Sequence, residues 1–133
     1  IQAVVLLAKL KYLDQWNQMR SERAAYYNEI FKDLDAVKIP HVGKDRTHVF
    51  QTYAIRVKNR DRICQELQKQ AVGVLIHYPI PLHLQPAYQE LGYRRGDFPV
   101  AEAVTSEILS LPMFPHISKE QQDEVYRRLK KVL

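Results

Sequence analysis

Gly73-Val74-Leu75-Ile76-His77-Tyr78-Pro79-Ile80-Pro81-Leu82-His83-Leu84-Gln85-Pro86 is the stretch on which the reading of this chain turns. It starts as a short apolar run with β-branched residues, the pattern of a buried strand. Pro79 and Pro81 then stop it, because proline lacks the amide that a ladder needs and holds the chain extended. His77, Tyr78 and His83 stand at that exit. A stiff exit from a buried strand can hold polar groups toward a ligand. The same residues also suit a structural role, His77 as a hydrogen-bonded core histidine and Tyr78 as an interface aromatic. The residues alone leave both readings open.

Upstream of this stretch, His48–Val57 is rich in β-branched and aromatic residues and partly alternates, which predicts a strand. Asn59 is placed to cap a helix over Arg60–Gln70, with Ile63, Leu67 and Ala71 as its core edge and Gly73 as its stop. Asp35–Thr47, polar and holding Pro40 and Gly43, reads as a connection. From Ile1 to Leu34 the apolar residues keep helical spacing with no Gly or Pro, and Ser21 marks a possible kink or break. Downstream, Pro99 suits the first turn of a helix to Ser106, and Ile108–Leu111 is a strand closed by Pro112. Ser118 and Gln121 form a capping box for a last helix whose inner face is Val125, Leu129, Val132 and Leu133.

A length of 133 residues predicts a single domain able to bury roughly two thirds of its unfolded surface. With 46% hydrophobic and 26% charged residues the composition is that of an ordinary globular protein rather than a disordered one. The net charge of +5 comes from scattered Lys and Arg, a pattern of solvated surface more than of a stripe for nucleotide phosphate or nucleic acid. Cys64 is the lone cysteine, so no intrachain disulfide forms, and its predicted helix makes it a small buried hydrophobe. That usage fits a reducing, cytoplasmic compartment. Ile1–Ala8 lacks the flanks of a secretory signal and is too short to span a bilayer. An opening in mid-pattern, apolar nearly all round, suggests a preceding segment that covers it.

Complete chemistry is missing. Gly43, Gly73, Gly92 and Gly96 form no dinucleotide fingerprint and no phosphate loop. One cysteine excludes a thiolate metal site, and His77 and His83 across two prolines match no zinc spacing. There is no Gly-x-Ser-x-Gly elbow. Glu102 and Glu107 do not share a helical face, and His41, His48 and His116 read as loop or strand-end residues. No catalytic residue is assigned within the chain.

Several ordered motifs then combine. They are Leu10-Lys11-Tyr12-Leu13-Asp14-Gln15-Trp16-Asn17 with Arg20, Tyr27-Asn28-Glu29, His77 to Tyr88, Leu91-Gly92-Tyr93, Phe98-Pro99-Val100-Ala101-Glu102 and Leu109 to Pro115. Together they resemble the C-terminal part of the DegT/DnrJ/EryC1/StrS family of pyridoxal-phosphate-dependent sugar aminotransferases, over essentially the whole chain. The resemblance implies a transaminase for keto-sugars carried on a nucleoside diphosphate, with the aspartate-aminotransferase type of fold and active sites shared across a homodimer. It implies that the Schiff-base lysine and the phosphate-binding residues lie in a large domain outside this sequence, so that no cofactor is expected on this chain alone. It places His77 and Tyr78 at the substrate end of the pocket. His83 joins them as a substrate-side residue whose first task is to fix the turn, while Pro99 and Glu102 are structural.

The expected fold is therefore α+β: a three-stranded antiparallel sheet of His48–Val57, Val74–Tyr78 and Ile108–Leu111, covered by helices. Residues 1–34 form a long helix that bridges to the large domain, and residues 35–133 form the small domain. No membrane or nucleic-acid partner is expected. The rival functions are a stand-alone binding module of the same fold and, on charge alone, a small nucleic-acid-binding domain, which a salt-sensitive affinity would reveal.

Overall fold

The computed structural model describes residues 1–133. Five helices and three strands follow in the order α1 (Gln2–Leu10), α2 (Leu13–Phe31), β1 (Val37–Lys38), β2 (Tyr53–Val57), α3 (Arg60–Lys69), α4 (Pro99–Glu107), β3 (Ile108–Leu111) and α5 (Lys119–Val132). Two short 3-10 turns, Leu82–Leu84 and Pro86–Leu91, lie between α3 and α4. The sheet runs β1-β2-β3 with both pairings antiparallel. Val37 faces Val57, and Ile55 faces Leu109.

The α+β class and the antiparallel sheet are as expected, but its membership differs. Val74–Tyr78 is not a strand. Only Leu75 bridges to β3, through Leu75 N–H to Ser110 O at 3.1 Å and Ser110 N–H to Leu75 O at 2.8 Å. Val74 is buried while Leu75 is 60% exposed, and Pro79 and Pro81, which carry no amide, bar a ladder beyond Tyr78. The third strand is instead Val37–Lys38, inside the segment read as a connection; two residues are too few to carry an alternation signal. The strand expected from His48 starts only at Tyr53. His48 Nδ1 accepts the Phe50 N–H at 2.8 Å, and Phe50 takes a left-handed φ of 48°, which turns the chain before it can pair.

The helix expected over residues 1–34 is two helices, and the break falls at Lys11–Tyr12 rather than at Ser21. Tyr12 N–H closes a tight turn onto Lys9 O at 3.0 Å, and the Tyr12 ring stacks on Trp16. Ser21 stays helical by bonding back to Asn17 O. Asn59 does precede α3, but with φ 55° and no side-chain cap; a left-handed Asn is tolerated, and here the backbone rather than the side chain turns the corner. The exit from α3 is taken by Ala71 at φ 58°, not by Gly73. Leu133 is exposed, so the inner face of α5 is Val125 and Leu129 with buried Gln122, and Val132 packs at its edge. Pro99 opens α4, and the Ser118–Gln121 capping box opens α5.

One core joins α2 (Ala24, Tyr27, Phe31), α3 (Ile63, Cys64, Leu67) and α5 to β2 and β3. Tyr53, Ile55 and Val57 alternate inward along β2, the period of a half-buried strand. Each fully buried aliphatic side chain here is worth about 1.5–3 kcal/mol. α1 buries no residue at all: Val4, Leu6, Leu7 and Leu10 are each more than half exposed. No helix is long and apolar enough to cross a membrane.

Candidate functional site

The site is built where the 72–78 segment leaves the sheet. The pair of backbone hydrogen bonds between Leu75 and Ser110 anchors the segment to β3, and two residues later His77 Nδ1 meets Ser110 Oγ at 2.9 Å. The His77–Tyr78 peptide is cis. The two rings stand edge to face, 5.6 Å apart, and Tyr78 is 71% exposed.

Beyond Tyr78 the Pro79–Pro81 stretch runs along one side of an open groove of about 830 Å3, with α4 on the other. Tyr78, Ile80, Leu82, Phe98, Val100 and Val104 give it apolar walls. His83 also borders it but is held fast. Its Nε2 lies 3.1 Å from Glu102 Oε1, and its ring packs 4.8 Å from Phe98. A carboxylate can only accept, so His83 Nε2 carries the proton in this contact. Glu102 Oε1 also accepts the Gly96 N–H at 2.7 Å. The Gly96 amide, and after it His83 and the Phe98 backbone, hold the Glu102 carboxyl below the usual glutamate range despite a counteracting cost of burial. Glu102 thus ties the 82–84 turn, the loop at Gly96 and α4 together. Pro99 opens α4, and the His83–Glu102 contact joins the 82–84 turn to that helix.

The expected site residues do not share one cavity. Tyr78 and His83 border the large groove, whereas His77 lines a separate pocket of about 250 Å3 with Gln51, Thr52, Ser110 and Met113. Sequence reasoning gave no role to Ser110 or Phe98. The signal for Ser110 was available as the one hydroxyl in an otherwise apolar strand. Glu107 pairs with Arg56 at 2.8 Å while Glu102 is held by His83 and the Gly96 amide, so the two acids form no carboxylate pair. His41 and His116 are exposed, and no group of three His, Cys, Asp or Glu is placed to hold a metal.

Neither concavity is lined by a lysine or an arginine. Holding pyridoxal phosphate takes an amine for the carbonyl and cations or amides for the phosphate. Neither the groove nor the His77 pocket supplies an amine or a cation, so these two concavities alone do not fit the cofactor.

This arrangement of sheet and helices is that of a portion of a fold type I aminotransferase. It superposes on S. venezuelae DesV, solved in complex with a ketimine intermediate, with a TM-score of 0.92 at 34% identity, covering 98% of this chain and 35% of that one. Residues 1–130 match the DegT/DnrJ/EryC1/StrS aminotransferase family, and the chain belongs to that pyridoxal-phosphate-dependent family. It is 42% identical over 130 residues to the erythromycin biosynthesis sensory transduction protein EryC1 of Saccharopolyspora erythraea, covering 98% of this chain and 36% of the relative. It is 42% identical over 125 residues to the dTDP-3-amino-3,6-dideoxy-alpha-D-galactopyranose transaminase of Aneurinibacillus thermoaerophilus, covering 94% and 34%. The chain spans about a third of the length of these relatives.

Proposed function

We propose that this chain is the C-terminal, small-domain part of a cytoplasmic, homodimeric aminotransferase that places an amino group on a nucleotide-linked keto-sugar. The observation that carries the reading is the family match over residues 1–130 by a chain only a third as long as its relatives, several of which are named as sugar-nucleotide transaminases. Amino transfer needs an amine and a phosphate cradle that these pockets lack, so that chemistry falls to the rest of the whole protein. The α1 region, apolar and uncovered, bridges toward it. The share left to this chain is binding. Tyr78 presents a phenol at the mouth of an apolar groove, His77 an imidazole in the adjoining pocket, and both can bond sugar hydroxyls or phosphate oxygens. His83 supports the 82–84 turn that follows them and lends the groove its edge.

The test is single-turnover kinetics of the two half-reactions in the whole protein, with glutamate and with a dTDP-linked keto-sugar. His77→Ala and Tyr78→Phe should raise KM for the sugar nucleotide, each by a factor equivalent to about 0.5–1.5 kcal/mol of lost binding, or up to about 3 if the lost partner is a charged phosphate. The glutamate half-reaction should change little. A fall in both half-reactions together with a lower melting temperature would mean that the two residues serve the fold alone. A whole protein that never transaminates would leave the stand-alone binding module as the better account.

A further inference from the structure

The hydrogen bond between β3 and His77 decides which face of the imidazole a ligand meets. Ser110 is 4% exposed, and both of its backbone groups are spent on Leu75. Its hydroxyl has one partner in the structure, His77 Nδ1 at 2.9 Å. A buried hydroxyl whose hydrogen finds no acceptor loses a full bond, which is costlier than a lone pair left idle. Among the protein's groups, His77 Nδ1 is the acceptor within reach of the hydroxyl. The economical arrangement is therefore Ser110 Oγ–H donating to an unprotonated Nδ1, which puts the proton of the neutral ring on Nε2. His77 Nε2 has no protein partner, and the residue lines the pocket shared with Gln51 and Thr52.

We infer that Ser110 is a positioning residue that fixes His77 as an Nε2–H donor, so that the pocket selects a ligand oxygen able to accept, such as a phosphate, carbonyl or ring oxygen of the sugar nucleotide. An imidazole free to turn or change tautomer would present a bare nitrogen part of the time and lose that preference. The inference rests on the proposal that His77 faces the sugar nucleotide.

The first measurement is the tautomer of His77 in the whole, cofactor-loaded protein, read from its ring nitrogen shifts after selective 15N-histidine labelling and assigned with the His77→Ala variant. The expected result is an Nε2–H ring in the wild type, moving toward a mixture in Ser110→Ala. The second is calorimetric Kd for dTDP-glucose and UDP-glucose as probes. For whichever binds, Ser110→Ala should weaken binding by about two- to tenfold. Ser110→Thr, which keeps the hydroxyl, should recover most of it, and Ser110→Ala should add nothing in a His77→Ala background. The two ways of failing are distinct. An Nδ1–H ring in the wild type, or an equal loss from Ser110→Ala with and without His77, overturns the role of Ser110 while His77 remains a contact. Unchanged binding in His77→Ala, or no binding of either probe, overturns the sugar-site reading and this inference with it.

Discussion

Tyr27 and Tyr53 are both fully buried, with rings 4.8 Å apart, and each phenol is tied across the core. Tyr27 donates to Pro112 O at 3.1 Å, linking α2 to the end of β3, and Tyr53 donates to Asn28 Oδ1 at 2.7 Å. Burial pushes both phenols well above the ordinary tyrosine value, with the neighbouring Tyr53 adding to the effect on Tyr27. At neutral pH, Tyr27→Phe and Tyr53→Phe should each cost about 0.5–1.5 kcal/mol, the net worth of one hydrogen bond. Alkali should change that order. An unfolded tyrosine ionises near pH ~10. Above that value the unfolded chain has released these protons and the folded one has not, so stability falls as pH rises, by about 1.4 kcal/mol per pH unit per phenol. By about pH 11 the wild type loses from this pair roughly what the double Phe variant lost at the start, and the two should then be near equal. Urea unfolding followed by circular dichroism from pH 7 to 11 measures this, with tyrosinate absorbance as the companion signal. A constant stability gap at every pH, or two phenols that ionise near pH ~10 with the fold intact, would refute the reasoning.

Glu102→Gln keeps an acceptor for the Gly96 amide but removes the charge. Because the folded carboxyl titrates below its unfolded value, its contribution is full above the ordinary glutamate range and lost as pH falls through the lowered one. The protection factors of the Gly96 and Phe98 amides against hydrogen exchange should therefore fall in acid in the wild type and stay level in the variant. Ser118→Ala removes the cap bond to the Gln121 amide and should destabilise by about 0.5–2 kcal/mol in thermal unfolding, whereas Ser118→Asp should keep most of the stability. The 133-residue chain by itself should self-associate through α1, whose Leu6, Leu7 and Leu10 are uncovered, and Leu6→Lys with Leu10→Lys should suppress it. Light scattering over a concentration series reads this, and a strict monomer at high concentration would contradict it.

Much of this protein is settled by local sequence. Pro99 starts a helix because its missing amide is one that a first turn does not use, and Ser118 with Gln121 caps one because each side chain reaches the other's backbone. Tyr53, Ile55 and Val57 alternate because one face of β2 is dry. The same chemistry made His77, Tyr78 and His83 visible as polar residues at a proline-stiffened exit. Long-range geometry decided the rest. Val37–Lys38 becomes a strand only because β2 offers it an open edge, which nothing within two residues can announce. Val74–Tyr78, apolar enough for a strand, is left with one bridge because it meets β3 only at Ser110. That meeting also parts His77 from Tyr78 and His83, into different concavities. Sequence determines which groups a segment can offer, through dihedral limits and hydrogen-bonding capacity. Which of them face a common space depends on contacts between residues as far apart as His77 and Ser110, or His83 and Glu102, and those exist only once the sheet and α4 have closed around them.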